Sequence, residues 1–479
     1  MKKTFSAEKI EELFSKLNEK NEKSESQISE SEIEPRSPVH VVYGGAHLFR
    51  RDTAQKLGKL ALRSIETYAP NFAEFGRAMW LAGADSLPAH EDAVQKLEFQ
   101  LIESEEKTKN ENFAAWLAWT IYNRTIDKLK RESIEDFRID FEDGYGFRTD
   151  EEEDSHAVSA SEELARAFLE NTITPFCGFR VKSFQKETQK RAVRTLDLFL
   201  TNLMEKTGGI LPENFVVTLP KITHKEETEI LSELLQDFEK RNDLQTGSIK
   251  IEIMIETPQA IVNEKGEIAL RSLVEAGKGR VVSAHFGAYD YTASFGISGV
   301  HQHLQHEACN FARQMMQISL APLNIRLSDS VTTEMPIPVH KGENLSIEQF
   351  SENRAVVHKA WRRHFNNVTN SLINGFYQSW DLHPAQIAAR YAAVYSFFIE
   401  SQPAQAKRLK SFIEKATQAV TTGNVFDDAA SAQGLVNFFL RAIGCGAMTE
   451  TEIQEKTGLS AEELKSASFA KIMENRNRG

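Results

Sequence analysis

The chain has 479 residues, 41% of them hydrophobic, with 57 Lys and Arg against 69 Asp and Glu and a formal net charge of -12. That length suits one large domain with extensions or two or three ordinary ones, and the acidic balance excludes a nucleic-acid partner, which needs a concentrated basic face. Cys177, Cys309 and Cys445 are far apart and odd in number, so the expectation is a reducing, cytoplasmic setting with neither a disulfide framework nor a cysteine metal site.

Residues 1–18 carry apolar positions at helical spacing (Ile10, Leu13, Phe14, Leu17), and the stretch from Lys20 to Pro38 is rich in Glu, Ser, Asn and Lys. Such composition buries little, so residues 1–38 are expected to form a flexible arm, without the continuous apolar run of a signal peptide or membrane span. Val39–Tyr43 is β-branched and stops at Gly44-Gly45, and a helical pattern follows to Tyr68. Residues 70–134 read as an inserted helical block that includes the apolar run Phe113–Tyr122.

Strand patterns then recur at Phe137–Phe141, Cys177–Val181, Phe215–Leu219, Lys250–Ile255 and Val281–Phe286, separated by helical segments at Glu162–Glu170, Gln189–Glu205 and Glu226–Lys240. Regular alternation of this kind implies parallel strands with helical crossovers. Asn324–Leu327 and Gly375–Trp380 complete eight strands with Val39–Tyr43, the number that closes an α/β TIM barrel, (β/α)8, over residues 39–384. Residues 385–479 are expected to be a helical C-terminal extension, with helices at Ala385–Ser401, Ala404–Thr421 and Ala430–Ile443 and a polar tail after Gly446.

Chemistry-bearing residues fall repeatedly at strand C-terminal ends: Asp140, Glu142, Asp143, Arg180, Lys221, Glu256, Asp290, Asp329 and His383. A closed parallel barrel brings those ends to one face. Glu256 and Asp290 each close an apolar strand, and a pair of such carboxylates points to a hard cation between them, because burying either alone is costly. Singly, each acid also reads as a cap of the next helix, and Asp140, Glu142 and Asp143 also read as salt-bridge partners of Arg180 across the barrel mouth. His301, His303 and His306 fit a helix start better than a zinc site. The chain has neither a glycine-rich phosphate loop nor a Gly-x-Ser-x-Gly elbow.

The motifs Asp140-Phe-Glu-Asp-Gly-Tyr, Gly178-Phe-Arg-Val, Leu219-Pro-Lys-Ile, Ile255-Glu-Thr, Phe286-Gly-Ala-Tyr-Asp and His383-Pro-Ala-Gln-Ile occur in one order. In that order they resemble the 4-hydroxy-2-oxoheptanedioate aldolase / citrate lyase beta subunit superfamily, over residues 39–445. The resemblance implies a magnesium-binding (or manganese-binding) β/α barrel, more distantly related to malate synthase. It would act as a carbon–carbon lyase of aldol or Claisen type on a 2-oxo acid or a coenzyme A thioester, through an enolate whose oxygen a cation and a guanidinium can share. It also implies Glu256 and Asp290 as metal ligands, Arg180 as the substrate-binding arginine with a fork for a carboxylate, and Glu142 and Asp143 as the acidic pair that orients Arg180 or water.

Gly423-Asn-Val-Phe-Asp427 matches the family's C-terminal motif, which implies Asp427 acting in a neighbouring subunit's site within a homo-oligomer such as a trimer; a helix cap by Asp427 or Asp428 is the alternative. Three features depart from the family pattern: Lys182 where it has Asn, Gly44-Gly45-Ala46 where it has Pro-Ala, and the 70–134 block. Lys182, with Lys221 and His383, is a candidate substrate contact, or else a surface lysine paired with nearby acids. Two other functions remain open at this point, phosphoenolpyruvate-type phosphoryl transfer or hydrolysis on the same barrel, and a non-catalytic metabolite-binding barrel.

Overall fold

The computed structural model describes Lys9, Glu11, Phe14, Ser15 and residues 36–421, 429–466 and 468–478. Most of the expected N-terminal arm therefore lies outside the described residues. Eight parallel strands close in chain order into a barrel. They are β1 His40–Gly45, β2 Asp136–Asp140, β3 Phe176–Arg180, β4 Phe215–Leu219, β5 Lys250–Ile255, β6 Val281–Phe286, β7 Arg326–Val331 and β8 Gln378–Asp381. Among the described residues no helix is long and apolar enough to cross a membrane.

Alternation along each strand sends apolar side chains outward to the helices: Phe137 and Ile139 of β2, Phe179 of β3, Val217 of β4, and Ile251, Ile253 and Ile255 of β5 are buried there. The opposite face is polar, which is unusual for a bore that this fold commonly fills with branched apolar residues. Arg138 of β2 reaches across to Glu252 of β5 with Nε and Nη2 at 3.2 Å from its two oxygens and is also paired with Asp136. Glu252 further accepts from Tyr43 Oη (3.0 Å), Thr218 Oγ1 (2.9 Å) and Ser283 Oγ (2.8 Å). Burial drives the Glu252 carboxyl upward, but Arg138, with His285 and Ser283, more than offsets this and holds it below the ordinary carboxylate range.

The barrel closes on a second buried charge group. Asp381 of β8 bonds His40 Nδ1 of β1 at 2.7 Å, His364 Nε2 at 2.8 Å and Arg390 Nη2 at 2.7 Å. His364 in turn meets Thr332 Oγ1 at 2.9 Å. First and last strands are thus joined by the His40–Asp381 hydrogen bond as well as by the ladder that pairs His40–Val42 with Ser379–Asp381.

Several elements differ from the sequence reading: the helix before β3 runs Asp150–Leu169 rather than Glu162–Glu170, and β8 is Gln378–Asp381 rather than Gly375–Trp380. β7 starts at Arg326 rather than Asn324, because Asn324 takes a left-handed φ of 54° that ends the preceding turn, and the strand runs on through Ser328-Asp329-Ser330. One helix, Ile387–Thr421, passes through Pro403 instead of breaking there. An internal proline costs about 3 kcal/mol, and the continuous buried face of Tyr391, Tyr395, Phe398, Leu409 and Phe412 offsets it. The tail after Gly446 is not merely polar: the helices Glu450–Thr457, Ala461–Lys465 and Phe469–Arg478 bury Ile453, Leu464, Phe469 and Ile472. Within residues 70–134 the helices are Phe72–Met79, Glu91–Glu103, Glu105–Glu111 and Phe113–Arg131, the last packing on Ile387–Thr421.

Candidate functional site

Asp140 and Arg180 end neighbouring strands in direct register. Both are fully buried, and Arg180 donates from Nε to Asp140 Oδ1 at 2.7 Å and from Nη2 to Oδ2 at 2.6 Å. The same carboxylate accepts the backbone N–H of Glu142 (3.0 Å) and of Gly144 (2.7 Å), which folds the loop after β2 back over the mouth. A Cβ at Gly144 would stand 2.6 Å from Asp140 Oδ2, so only glycine allows that approach. The sequence reading gave Arg180 a fork for substrate. One fork, Nε with Nη2, is already filled by Asp140, which leaves the end-on edge of Nη1 and Nη2. At that edge Nη1 lies 3.3 Å from Glu142 Oε2 and 3.5 Å from Asp143 Oδ2.

Lys221, just past β4, ties the acids together. Its backbone is left-handed at φ 54°, its N–H donates to Glu256 Oε1 at 2.6 Å, and its ammonium donates to Glu142 and, at 2.8 Å, to Asp143 Oδ1. Glu256 follows β5 and is buried. Gly287, after β6, backs it: a Cβ there would fall 2.4 Å from Glu256 Cβ and 2.7 Å from Oε2. Burial pushes the Glu256 carboxyl well above its ordinary range; Arg180 opposes this, and the charges of Asp290 and Glu142 add to it. Glu142 is raised likewise, by burial first and also by Asp143. Asp290 lies exposed in the first turn of the helix Ala288–Ala293. The structure therefore gathers Arg180, Glu142, Asp143, Lys221, Glu256 and Asp290 at the C-terminal mouth.

The family model described as Domain of unknown function (DUF6986) matches residues 18–472. The chain belongs to that family. No curated protein matches this DUF6986 chain. Among solved structures it is similar to protein CitE from Mycobacterium tuberculosis in complex with magnesium and pyruvate, at 15% identity over 57% of this chain and 87% of that one, with a TM-score of 0.35. It is similar also to the Haloferax volcanii malate synthase lead(II) complex, at 14% identity over 70% and 89%, with a TM-score of 0.41. A third is the citrate lyase beta subunit complexed with oxaloacetate and magnesium from M. tuberculosis, at 15% identity over 57% and 93%, with a TM-score of 0.35.

Other residues singled out in the DUF6986 sequence stand elsewhere. Lys182 donates to the Phe141 carbonyl at 2.7 Å and pairs with Glu153 at 3.3 Å on the helix Asp150–Leu169, so its ammonium is spent on structure. His383 caps the turn Pro384–Gln386, its Nδ1 accepting from Ala385 N at 3.2 Å. Asp329 is buried against Arg313 (3.2 Å) and Ser371 (2.6 Å) outside the bore. His306 caps the helix Glu307–Leu320, in line with the helix-start reading. Asp427 lies outside the described residues. A groove of about 870 Å³ lies at the opposite end of the barrel, lined by Ile134, Thr174 and Pro175 before β2 and β3.

Sequence reasoning missed Tyr43, Glu252, His285 and Trp380, which line the bore beneath Arg180. A signal for one of them was present: the period-two pattern of Lys250–Glu256 places Glu252, Met254 and Glu256 on one face.

Proposed function

We propose that this protein is a divalent-cation-dependent carbon–carbon lyase, or catalyses the reverse reaction, acting on a 2-oxo acid or a coenzyme A thioester. The observation that carries the reading is Glu256: a carboxylate buried at the barrel mouth, raised by its surroundings and facing more negative charge from Asp290 and Glu142. Such a group is stabilised by a cation. Among the described residues no three His, Cys, Asp or Glu side chains form a metal cluster. Two hard oxygen donors with the remaining positions open is a donor set that suits Mg²⁺, which commonly takes one or two carboxylates plus water and substrate.

In this reading Glu256 and Asp290 hold Mg²⁺ or Mn²⁺. When bound, the cation supplies stabilisation of the negative charge that develops on a carbonyl oxygen as the neighbouring carbon–carbon bond forms or breaks. Arg180 offers its end-on N–H edge to the substrate's carboxylate. Glu142 and Asp143 set the aim of that edge and keep Lys221 at the mouth, and the Lys221 N–H fixes one oxygen of Glu256. A homo-oligomer belongs to the same proposal.

The test is a calorimetric titration of metal-stripped protein with Mg²⁺, alone and with pyruvate, oxaloacetate or acetyl-coenzyme A. Tighter Mg²⁺ binding with one of these, lost in Glu256→Gln while the fold is retained, supports the lyase. Absence of Mg²⁺ binding in every condition leaves a non-catalytic barrel.

A further inference from the structure

Asp140 anchors the Arg180 guanidinium along its Nε–Nη2 edge, the soft Met254 Sδ accepts from Nη1 at 3.5 Å, and the acids Glu142 and Asp143 stand at the end-on edge. A planar cation with its strong bidentate pair on one edge can still tip about that edge, and a thioether is a weak acceptor. Two aromatic rings restrict the tipping: Arg180 Cζ lies 4.9 Å from the Tyr43 ring centroid and 5.5 Å from that of Trp380. The two rings are themselves 4.3 Å apart at 40°. His285 packs against both, its ring 5.7 Å from Tyr43 and 5.5 Å from Trp380. Burial, with help from Arg180 and Arg138, pushes His285 down to about 4, so it is neutral near pH 7 and adds no repulsion to the guanidinium.

The rings are anchored differently. Tyr43 is fixed by its hydroxyl on Glu252 at 3.0 Å. Trp380 has no such tie: its indole N–H is buried and has no hydrogen-bond partner among the described residues. A buried donor left unpaired carries a cost, so the indole is retained for its face. An aromatic face attracts a guanidinium, more strongly where water is excluded.

We infer that Tyr43 and Trp380 are positioning residues for Arg180, holding the guanidinium plane so that its end-on edge presents to a planar carboxylate at the mouth. This rests on the reading of Arg180 as the anion-binding group. Neither ring needs to touch the substrate.

The experiment uses oxalate, a flat dianion, as the probe, titrated by calorimetry into the Mg²⁺-loaded full chain, with Mg²⁺ titrated separately into each variant. Trp380→Phe keeps a ring face and loses only an unpaired N–H, so oxalate affinity stays within about twofold of wild type. Trp380→Leu loses the face, and affinity falls about tenfold, with Mg²⁺ binding alone unchanged. Tyr43→Phe and Tyr43→Leu repeat the comparison from the other ring, which keeps the test decisive where Trp380→Leu does not fold. Equal weakening by Phe and Leu at both positions, or unchanged affinity in both Leu variants, overturns the inference while leaving Arg180 as the anion site. Wild-type protein that binds no oxalate with or without Mg²⁺ overturns both.

Discussion

The backbone N–H of Lys221 donates to Glu256 Oε1 at 2.6 Å from a left-handed backbone, φ 54°. A side chain in that region costs roughly 1–2 kcal/mol relative to glycine, so the residue is held there by its partners, three carboxylates in all. Lys221→Gly keeps the N–H where Glu256 needs it and removes the ammonium. The expected outcome is Mg²⁺ binding tightened several-fold, since one positive charge leaves the mouth; calorimetry checks it, and weaker binding would show that the ammonium itself places the acids.

Gly287→Ala acts on the other side of the same carboxylate. The new Cβ would meet Glu256 at 2.4–2.7 Å, and overpacking of this kind costs about 1–3 kcal/mol. Glu256 is expected to swing away from Asp290. Mg²⁺ affinity should drop at least about tenfold, with circular dichroism and the melting curve reporting an intact fold.

Two sets of buried groups destabilise the protein in stages as pH falls, while the raised Glu256 and Glu142 carboxyls work the other way, since the folded chain takes up their protons first. His285 titrates at about 4 when folded, so between the ordinary histidine value and 4 the unfolded chain binds a proton that the folded one refuses, and stability falls as pH is lowered through that window. At about 1.4 kcal/mol per unit the loss approaches about 3 kcal/mol. The second stage belongs to Asp381 and Glu252. Burial works against both charges, but Arg390 with His364 and His40 holds Asp381 down, and Arg138 holds Glu252 down, so their contribution is present at neutral pH and is lost as pH falls below the ordinary carboxylate range. Melting temperatures from pH 7 to 3 should show both stages. His285→Phe should reduce the first by the His285 share, with His364, His358 and His383 also held low there, and leave the second.

Arg138 is the only cation hydrogen-bonded to Glu252 among the described residues. Arg138→Met leaves two buried carboxylates, Asp136 and Glu252, without it, and breaking a buried pair from one side costs about 3–5 kcal/mol. A large fall in melting temperature is expected, and a fall no greater than that of a surface substitution would show that water enters the bore.

The convergence of Arg180, Glu256 and Asp290 was legible because parallel strands in a closed barrel end on one face whatever lies between them. Parity along a strand also made the outward apolar set readable. It placed β7 only in part, at Asn324–Leu327, because further on Ser328 faces the bore and Asp329 faces Arg313 on the helical layer, so neither side of that stretch looks apolar in sequence. His383 opens one recognised motif and Lys182 follows another as a departure from it, and both lie past the strand ends, where alternation no longer predicts direction. Their partners, Glu153 and the Ala385 backbone, depend on how the next segment turns. The role of Trp380 was illegible for another reason: a ring used for its face leaves no polar pattern to find.

The charged seam between the first and last strands has a consequence in time. His40 and Asp381 are 341 residues apart, and at about 5–20 residues per second a ribosome needs roughly 20–70 s to make the intervening chain. Throughout that interval β1 has no partner on one side, and an open strand edge pairs readily with other chains. Synthesis of β8 ends that exposure, which makes the arrival of Asp381 the event that separates a nascent sheet prone to association from a closed barrel.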